Sequence, residues 1–490
     1  MRNILKTSIV FALLFSMGCS KEYLNPVPQT SLSDLTVFET KDRVVAQVNG
    51  IYDMMKAAQY LGGRYFVYND VRAENFIPKS TNLVTCFSTW NHSVITATNE
   101  VQNCWAAIYN TINTANIFLE GLNGAWDGGK LDGVITQADY DQYKSEALTI
   151  RAICYFDLLQ LYAKPYNMGS GANPGVPLRL LAEKSSENSD LARSSVAEVY
   201  TQILKDLNDA ESMAILNYTT DLLNTTRIHK NTIIAFKTRV YLHMQNWASV
   251  VTESAKIVSA SAPFTAATGV AFALNPSFAA VWASPYTSKE SIFSMPHTPT
   301  DNPGSQNSLP SYYSSGANES YYLNLAPGTA YATMNAADVR KTSLMLVGGN
   351  YFISKFTDHV THSNYSPVIR YAEVLLNRSE ALVRQGNAVT QEAVDLLNAV
   401  RTRSFPTGAY TVASFASATD FYTAILQERN MEFLGEGIRN MDLMRLSLTI
   451  PAKDGGSANG SIAEIPPTSP TYIWPISALE LTFNKLMTGN

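Results

Sequence analysis

The spacing of apolar residues constrains this chain more than any other feature. From Asn99 to Leu122, Val101, Trp105, Ile108, Ile112, Ala115 and Leu119 recur at alternating steps of four and three, which places them on one face of an α-helix. Such a face has to be buried, so the chain is predicted to be built from packed helices. Equivalent stripes run through Val45, Val48, Tyr52 and Met55; through Tyr140, Tyr143, Ala147, Ile150, Cys154, Leu158 and Leu161; and through Val196, Val199, Ile203, Leu207 and Ala210. Ser195 and Glu198 precede the last of these at capping-box spacing.

Two stretches read as helical hairpins of about tetratricopeptide size: Lys230 to Ala260, broken near Gln245-Asn246, and Arg370 to Arg403, broken at Gly386-Asn387. Small residues (Ala235, Ala248, Ala255; Ala372, Ala381, Ala393) let such helices approach closely. An ordinary α-hairpin fits the pattern almost as well. Between residues 262 and 367 helical periodicity fades and Pro and Gly punctuate an aromatic-rich sequence, as they do over about 60–98. The expected fold is therefore mostly α, with tetratricopeptide-like hairpins, loop-rich insertions at about 60–98 and 262–367, and little β. Irregular segments on a rigid scaffold are where binding residues concentrate.

The N-terminus reads as an export signal over residues 1–18. Arg2 and Lys6 precede the apolar run Ile9 to Phe15, and Ser16-Met17-Gly18-Cys19 follows. The run is too short to span a bilayer, which takes about 20 apolar residues. Cys19 at the cleavage point resembles a bacterial lipobox, whose cysteine is acylated, although Ser16 stands where that motif carries leucine. The alternative is an ordinary secretory signal. Residues 19–33, with Pro26 and Pro28, read as an extended tether. Cys86, Cys104 and Cys154 remain; one disulfide with a free thiol, for example Cys86 with Cys104, fits as well as three buried thiols.

Charge narrows the partners. Only 16% of the 490 residues are charged, and the formal net charge is -5, so no basic face is available to bind nucleic acid. The sequence contains no G-x-S-x-G, H-E-x-x-H, Walker or G-x-G-x-x-G motif and implies no cofactor. Asp358-His359 and His362 lack further ligand signals and are expected to be solvated, so no metal site is predicted. Glu428, Glu432, Glu436, Arg439 and Asp442 lie three or four apart, which on a helix sets carboxylates beside Arg429, Arg439 and Arg445. Ion pairing depresses carboxylate pKa values, whereas a glycosidase acid needs one raised, so this run is expected to be a structural network around a break at Gly435 and Gly437.

Five separated segments carry a family resemblance. They are Cys19-Ser20-Lys21-Glu22-Tyr23-Leu24; Trp105-x-x-x-Tyr109-x-x-Ile112-x-x-x-Asn116; Glu146-Ala147-x-x-x-Arg151-Ala152-x-x-Tyr155-Phe156-x-Leu158; Arg370-Tyr371-Ala372-Glu373-Val374-Leu375-Leu376-x-x-x-Glu380-Ala381; and Glu428-Arg429-x-x-Glu432-Phe433-x-Gly435-Glu436-Gly437-x-Arg439-x-x-Asp442-Leu443-x-Arg445. In this order the chain resembles the SusD/RagB family, glycan-capturing surface lipoproteins of Bacteroidetes. The resemblance implies one SusD-like α-helical domain over 34–490, acylation at Cys19, and attachment to the outer membrane facing the cell exterior. It also implies an oligosaccharide or polysaccharide ligand passed, without catalysis, to a SusC-like TonB-dependent barrel. Only Glu22 is acidic just after Cys19, so the outward-facing export signal of the family is reduced here. A RagB-like peptide cargo and a surface glycoside hydrolase are the alternatives.

A pyranose stacks its C–H bonds on an aromatic face while Asn, Asp or Arg bind its hydroxyls. Arg72, Asn75, Trp90 and Asn91 in the first irregular stretch, and Trp282, Tyr286, Tyr312, Tyr313, Tyr321 and Tyr322 in the second, are the candidate ligand-binding residues. For any one of these aromatics the plainer expectation is that it packs a loop onto a helix, since large aromatics are usually buried. The doublets argue the other way, because sequence neighbours do not easily both point inward.

Overall fold

The computed structural model describes residues 36–490, apart from 186, 188 and 317–319. The expected signal peptide, Cys19 and the tether lie outside the described residues. Helices dominate. The ones that position the site are α1 (Lys41–Met55), α2 (Arg64–Val71), α3 (Phe87–Trp90), α4 (Asn99–Asp127), α5 (Gln137–Tyr162), α6 (Val196–Met213), α7 (Lys230–His243), α8 (Trp247–Ser254), α9 (Tyr371–Gly386), α10 (Gln391–Ser404), α11 (Ala418–Glu432), α12 (Arg439–Arg445) and α13 (Ala478–Phe483).

Each apolar stripe seeks the next. α4 packs on α5, α5 on α6, α6 on α7, and α1 lies across α4 and α5. α5 is buried along most of its length, which ties these layers into one core. The starts follow local chemistry: Thr136 with Asp139 and Ser195 with Glu198 each form a reciprocal capping box. Both hairpins form as expected. Gln245 takes a left-handed conformation (φ 57) and Asn246 caps α8 by accepting from the Ser249 amide. Asn387 (φ 49) ends α9 before Thr390 caps α10.

β-structure is confined to short antiparallel pairs among the described residues. Phe76–Pro78 (β1) pairs with Tyr321–Leu323 (β3), and Ser291–Met295 (β2) pairs with Ser366–Arg370 (β6). Met345–Val347 (β4) with Asn350–Phe352 (β5) and Lys453–Asp454 (β7) with Ser461–Ile462 (β8) are the others. The β1–β3 pair matters most, because it staples the two irregular stretches together beside α2.

The run from Glu428 to Arg445 forms an ion-pair network around the expected break, but with other partners. It splits into α11 and α12 at Gly435 (φ 85) and Gly437 (φ 73), so most of its carboxylates meet cations from elsewhere in the chain instead of their own neighbours. Glu428 binds Arg340 at 2.6 Å and Arg401 at 2.8 Å. Glu432 binds Arg340, Arg370 and Arg403, and Glu436 binds Arg370 at 2.7 Å and Lys355 at 2.6 Å. Arg439 leaves the run to bind Glu74, whereas Arg429 and Arg445 do share Asp442. Burial raises the Glu432 carboxyl and the surrounding guanidinium groups overcome it, holding it at about 2.

Cys86, Cys104 and Cys154 are free, buried thiols. Asp358 bonds to Thr361 and Ser363. His362 is not fully solvated: its Nδ1 lies 3.0 Å from the Ser308 hydroxyl. No cluster of metal-ligating residues occurs among the described residues.

Candidate ligand-binding cleft

Asn82 accepts from the Val84 amide and starts a tight turn over Leu83–Thr85. Cys86 in a left-handed conformation (φ 66) then turns the chain into α3. After α3, His92 (φ 57) and an Asx turn, in which Asn91 Oδ1 accepts from the Ser93 amide, lead to α4. Thr98 precedes α4 without capping it, because its hydroxyl instead accepts from the Ile95 amide at 2.8 Å. This path opens a cleft of about 530 Å³ lined by Gln59, Arg64, Leu83, Val84, Ser88, Ile95, Ala97, Thr98, Asn99, Glu100 and Asn103.

The cleft floor is polar and buried. Arg64 is 7% exposed; it donates to Gln59 Oε1 and to the carbonyls of Val84 and Gln306, but its Nε has no partner among the described groups. Glu100 is 2% exposed; one carboxyl oxygen accepts from the Thr89 hydroxyl, and the other, Oε1, has no partner. Burial pushes the Glu100 carboxyl up to about 7, against the opposing pull of Thr89 and Arg64. The rim is aliphatic: Leu83, Val84 and Ile95 are among the most exposed large apolar side chains described.

Seven of the eleven lining residues fall in the first irregular stretch of about 60–98, none in 262–367, and none of the eleven is a residue singled out from the sequence. Trp90 is fully buried, stacked on Phe87, with its indole N–H donating to the Phe76 carbonyl. Tyr312 and Tyr321 are 1% exposed and stack on each other; Tyr321 donates to the Thr85 carbonyl and Tyr312 to that of Gln306. These two rings prop up the turn from beneath. Tyr313 is buried against Phe76 and donates to Asp70. Arg72 holds the Tyr472 carbonyl and Asn440, while Asn75 holds Asn430 and the Ala330 amide. All six are buried, and none lines the cleft.

Four candidates remain partly exposed: Asn91, Trp282, Tyr286 and Tyr322. None lines the cleft. Trp282 lies 5.1 Å from both the Lys355 and Arg370 cations, over the buried ion-pair network. Tyr286 packs on Tyr365 with ring centroids 5.2 Å apart.

Sequence reasoning missed Arg64 and Glu100. The available signal was phase: Glu100 falls in step with Cys104, Ala107 and Thr111, all buried, so an acidic group was bound to be drawn inside. A second groove, of about 290 Å³, runs between α4 and α13. There Trp105 and Arg179 both donate to Glu480, so its principal polar groups are already paired.

Comparison with known proteins places this architecture. Residues 22–242 match a family described as starch-binding and associating with the outer membrane, and residues 311–490 match the SusD family. A SusD superfamily protein of Bacteroides fragilis is 30% identical and superposes with a TM-score of 0.79, over 92% of this chain and all of that one. The chain belongs to the SusD/RagB family. A SusD-like protein of Formosa agariphila is 23% identical over the whole of this chain and 99% of its own. A laminarin-binding SusD-like protein shares the fold at a TM-score of 0.70 and 20% identity, over 92% of this chain and 99% of that one. Among the described residues no helix is long and apolar enough to cross a membrane.

Proposed function

We propose that this SusD/RagB protein is a cell-surface binder of glycan, tethered by acyl chains on Cys19, that hands its ligand to a SusC-like TonB-dependent barrel without cleaving it. The observation that carries the reading is the cleft of about 530 Å³ between the 83–98 loop and α4, roomy enough for an oligosaccharide segment, on a scaffold shared with sugar-binding relatives. Acyl chains would hold the protein at a membrane, each buried methylene contributing about 0.8 kcal/mol.

A glycan-array screen followed by titration calorimetry tests this reading: saturable binding with no new reducing ends supports it. A peptide cargo is favoured by one observation, the aliphatic rim beside a charged floor. Retention of a peptide pool, with every glycan ignored, would establish that reading in its place.

A further inference from the structure

We infer that the cleft seats an acetamido sugar, an N-acetylated hexosamine residue, whose amide bridges Arg64 and Glu100 while its methyl rests on Leu83, Val84 and Ile95. This rests on the glycan reading above and names the class of sugar.

Three features of the cleft call for the same group. Arg64 Nε is a buried donor without a partner and Glu100 Oε1 a buried oxygen without one, although both side chains line the cleft and both are otherwise pinned in place. Orphaned groups of this kind cost free energy until something in the cavity pairs with them. An amide answers both from one rigid plane: its carbonyl accepts from a guanidinium and its N–H donates to a carboxyl oxygen. The third feature is the rim. The described lining holds no aromatic ring on which an ordinary pyranose could stack, yet it exposes Leu83, Val84 and Ile95. A methyl group is the part of an acetamido sugar that gains from such a surface and that glucose lacks.

Two other sugar classes match less of the site. A free hexosamine brings an ammonium, which the Arg64 cation repels and which a half-protonated Glu100 attracts only weakly. A uronate pairs with Arg64 but leaves the aliphatic rim uncovered.

Saturation-transfer NMR on the intact protein at pH 7, with N-acetylglucosamine, glucose, glucosamine and glucuronic acid as separate probes, decides the matter. N-acetylglucosamine is expected to bind about tenfold more tightly than each of the other three, with its acetamido methyl receiving the strongest saturation. Leu83→Ser and Ile95→Ser are expected to weaken it about fivefold each without changing the melting temperature. Glu100→Gln, which keeps the side-chain shape, is expected to weaken it while the protein stays folded.

Equal binding of the four sugars, or a preference for glucosamine or glucuronic acid, overturns the inference and leaves the glycan reading standing. So does silence with N-acetylglucosamine at about 10 mM when an array finds another glycan. Retention of peptides alone overturns both.

Discussion

Glu100 illustrates how a single buried carboxyl ties ligand chemistry to stability. Its folded-state value of about 7 lies above the 4.5 expected of an exposed glutamate. The folded protein therefore binds the extra proton more tightly than the unfolded chain does, and stability is lost as pH rises from about 4.5 through 7. Glu100→Gln removes that loss: we expect a gain of about 1–3 kcal/mol at pH 8 and almost none at pH 4, read by thermal unfolding at both. Equal effects at the two pH values would contradict it. Trp90 and Ile95 should separate support from contact. Trp90→Ala opens a fully buried site and should cost about 3–5 kcal/mol, whereas Ile95→Ser, at an exposed rim position, should leave unfolding unchanged within about 0.5 kcal/mol. The two doublets show what composition could and could not tell. Tyr321 and Tyr322 alternate on strand β3, one inward and one half exposed, but Tyr312 and Tyr313 are both buried because their short helix is packed on two sides: Cys86 and Gln306 meet one ring, Phe76 and Asp70 the other. Periodicity identifies a helix; it does not reveal how many faces of a short one will be covered.

Long helices were legible in the sequence because the core demands a regular stripe, and the capping box at Ser195 marks one start; the box at Thr136 emerged only from the structure. The α11–α12 break was legible at its two glycines, but the distant partners of its carboxylates were not. The charges stood at helical spacing, and only Gly435 and Gly437 signalled that the spacing would not be used as a helix uses it. At Gly437 a Cβ would sit 2.8 Å from the Phe66 Cα, on a backbone with φ 73. Gly437→Ala must therefore strain the left-handed backbone and push α2 away at once, and α2 carries Arg64 into the cleft. A loss of about 2–4 kcal/mol is expected, together with weaker ligand binding even in the folded fraction. Chemical denaturation alongside calorimetry checks both, and a melting point equal to wild type would count against the account. The shape of the cleft, unlike the stretch that supplies most of it, was not legible for a related reason: it is made by left-handed turns at Cys86 and His92, and neither residue type announces such a conformation.

Across the described residues, the thiols have been withdrawn from the surface. Cys86, Cys104 and Cys154 are buried, and burial raises each thiol, Cys86 to about 12. With Cys19→Ser in place, a thiol reagent should leave the native protein unlabelled and modify all three cysteines only after unfolding; rapid labelling of the native form would show the fold to be looser than described. Two clusters of charge are held inward in the same way. Dissolved ions screen only what they can approach, and within about 8–10 Å of free solution at ordinary salt. The guanidinium and carboxylate groups gathered around Glu432 and Asp442 are sealed from that atmosphere. Tides of sodium chloride therefore cannot dilute these pairs, and the share of the unfolding midpoint that they set should stay level from fresh water to brine.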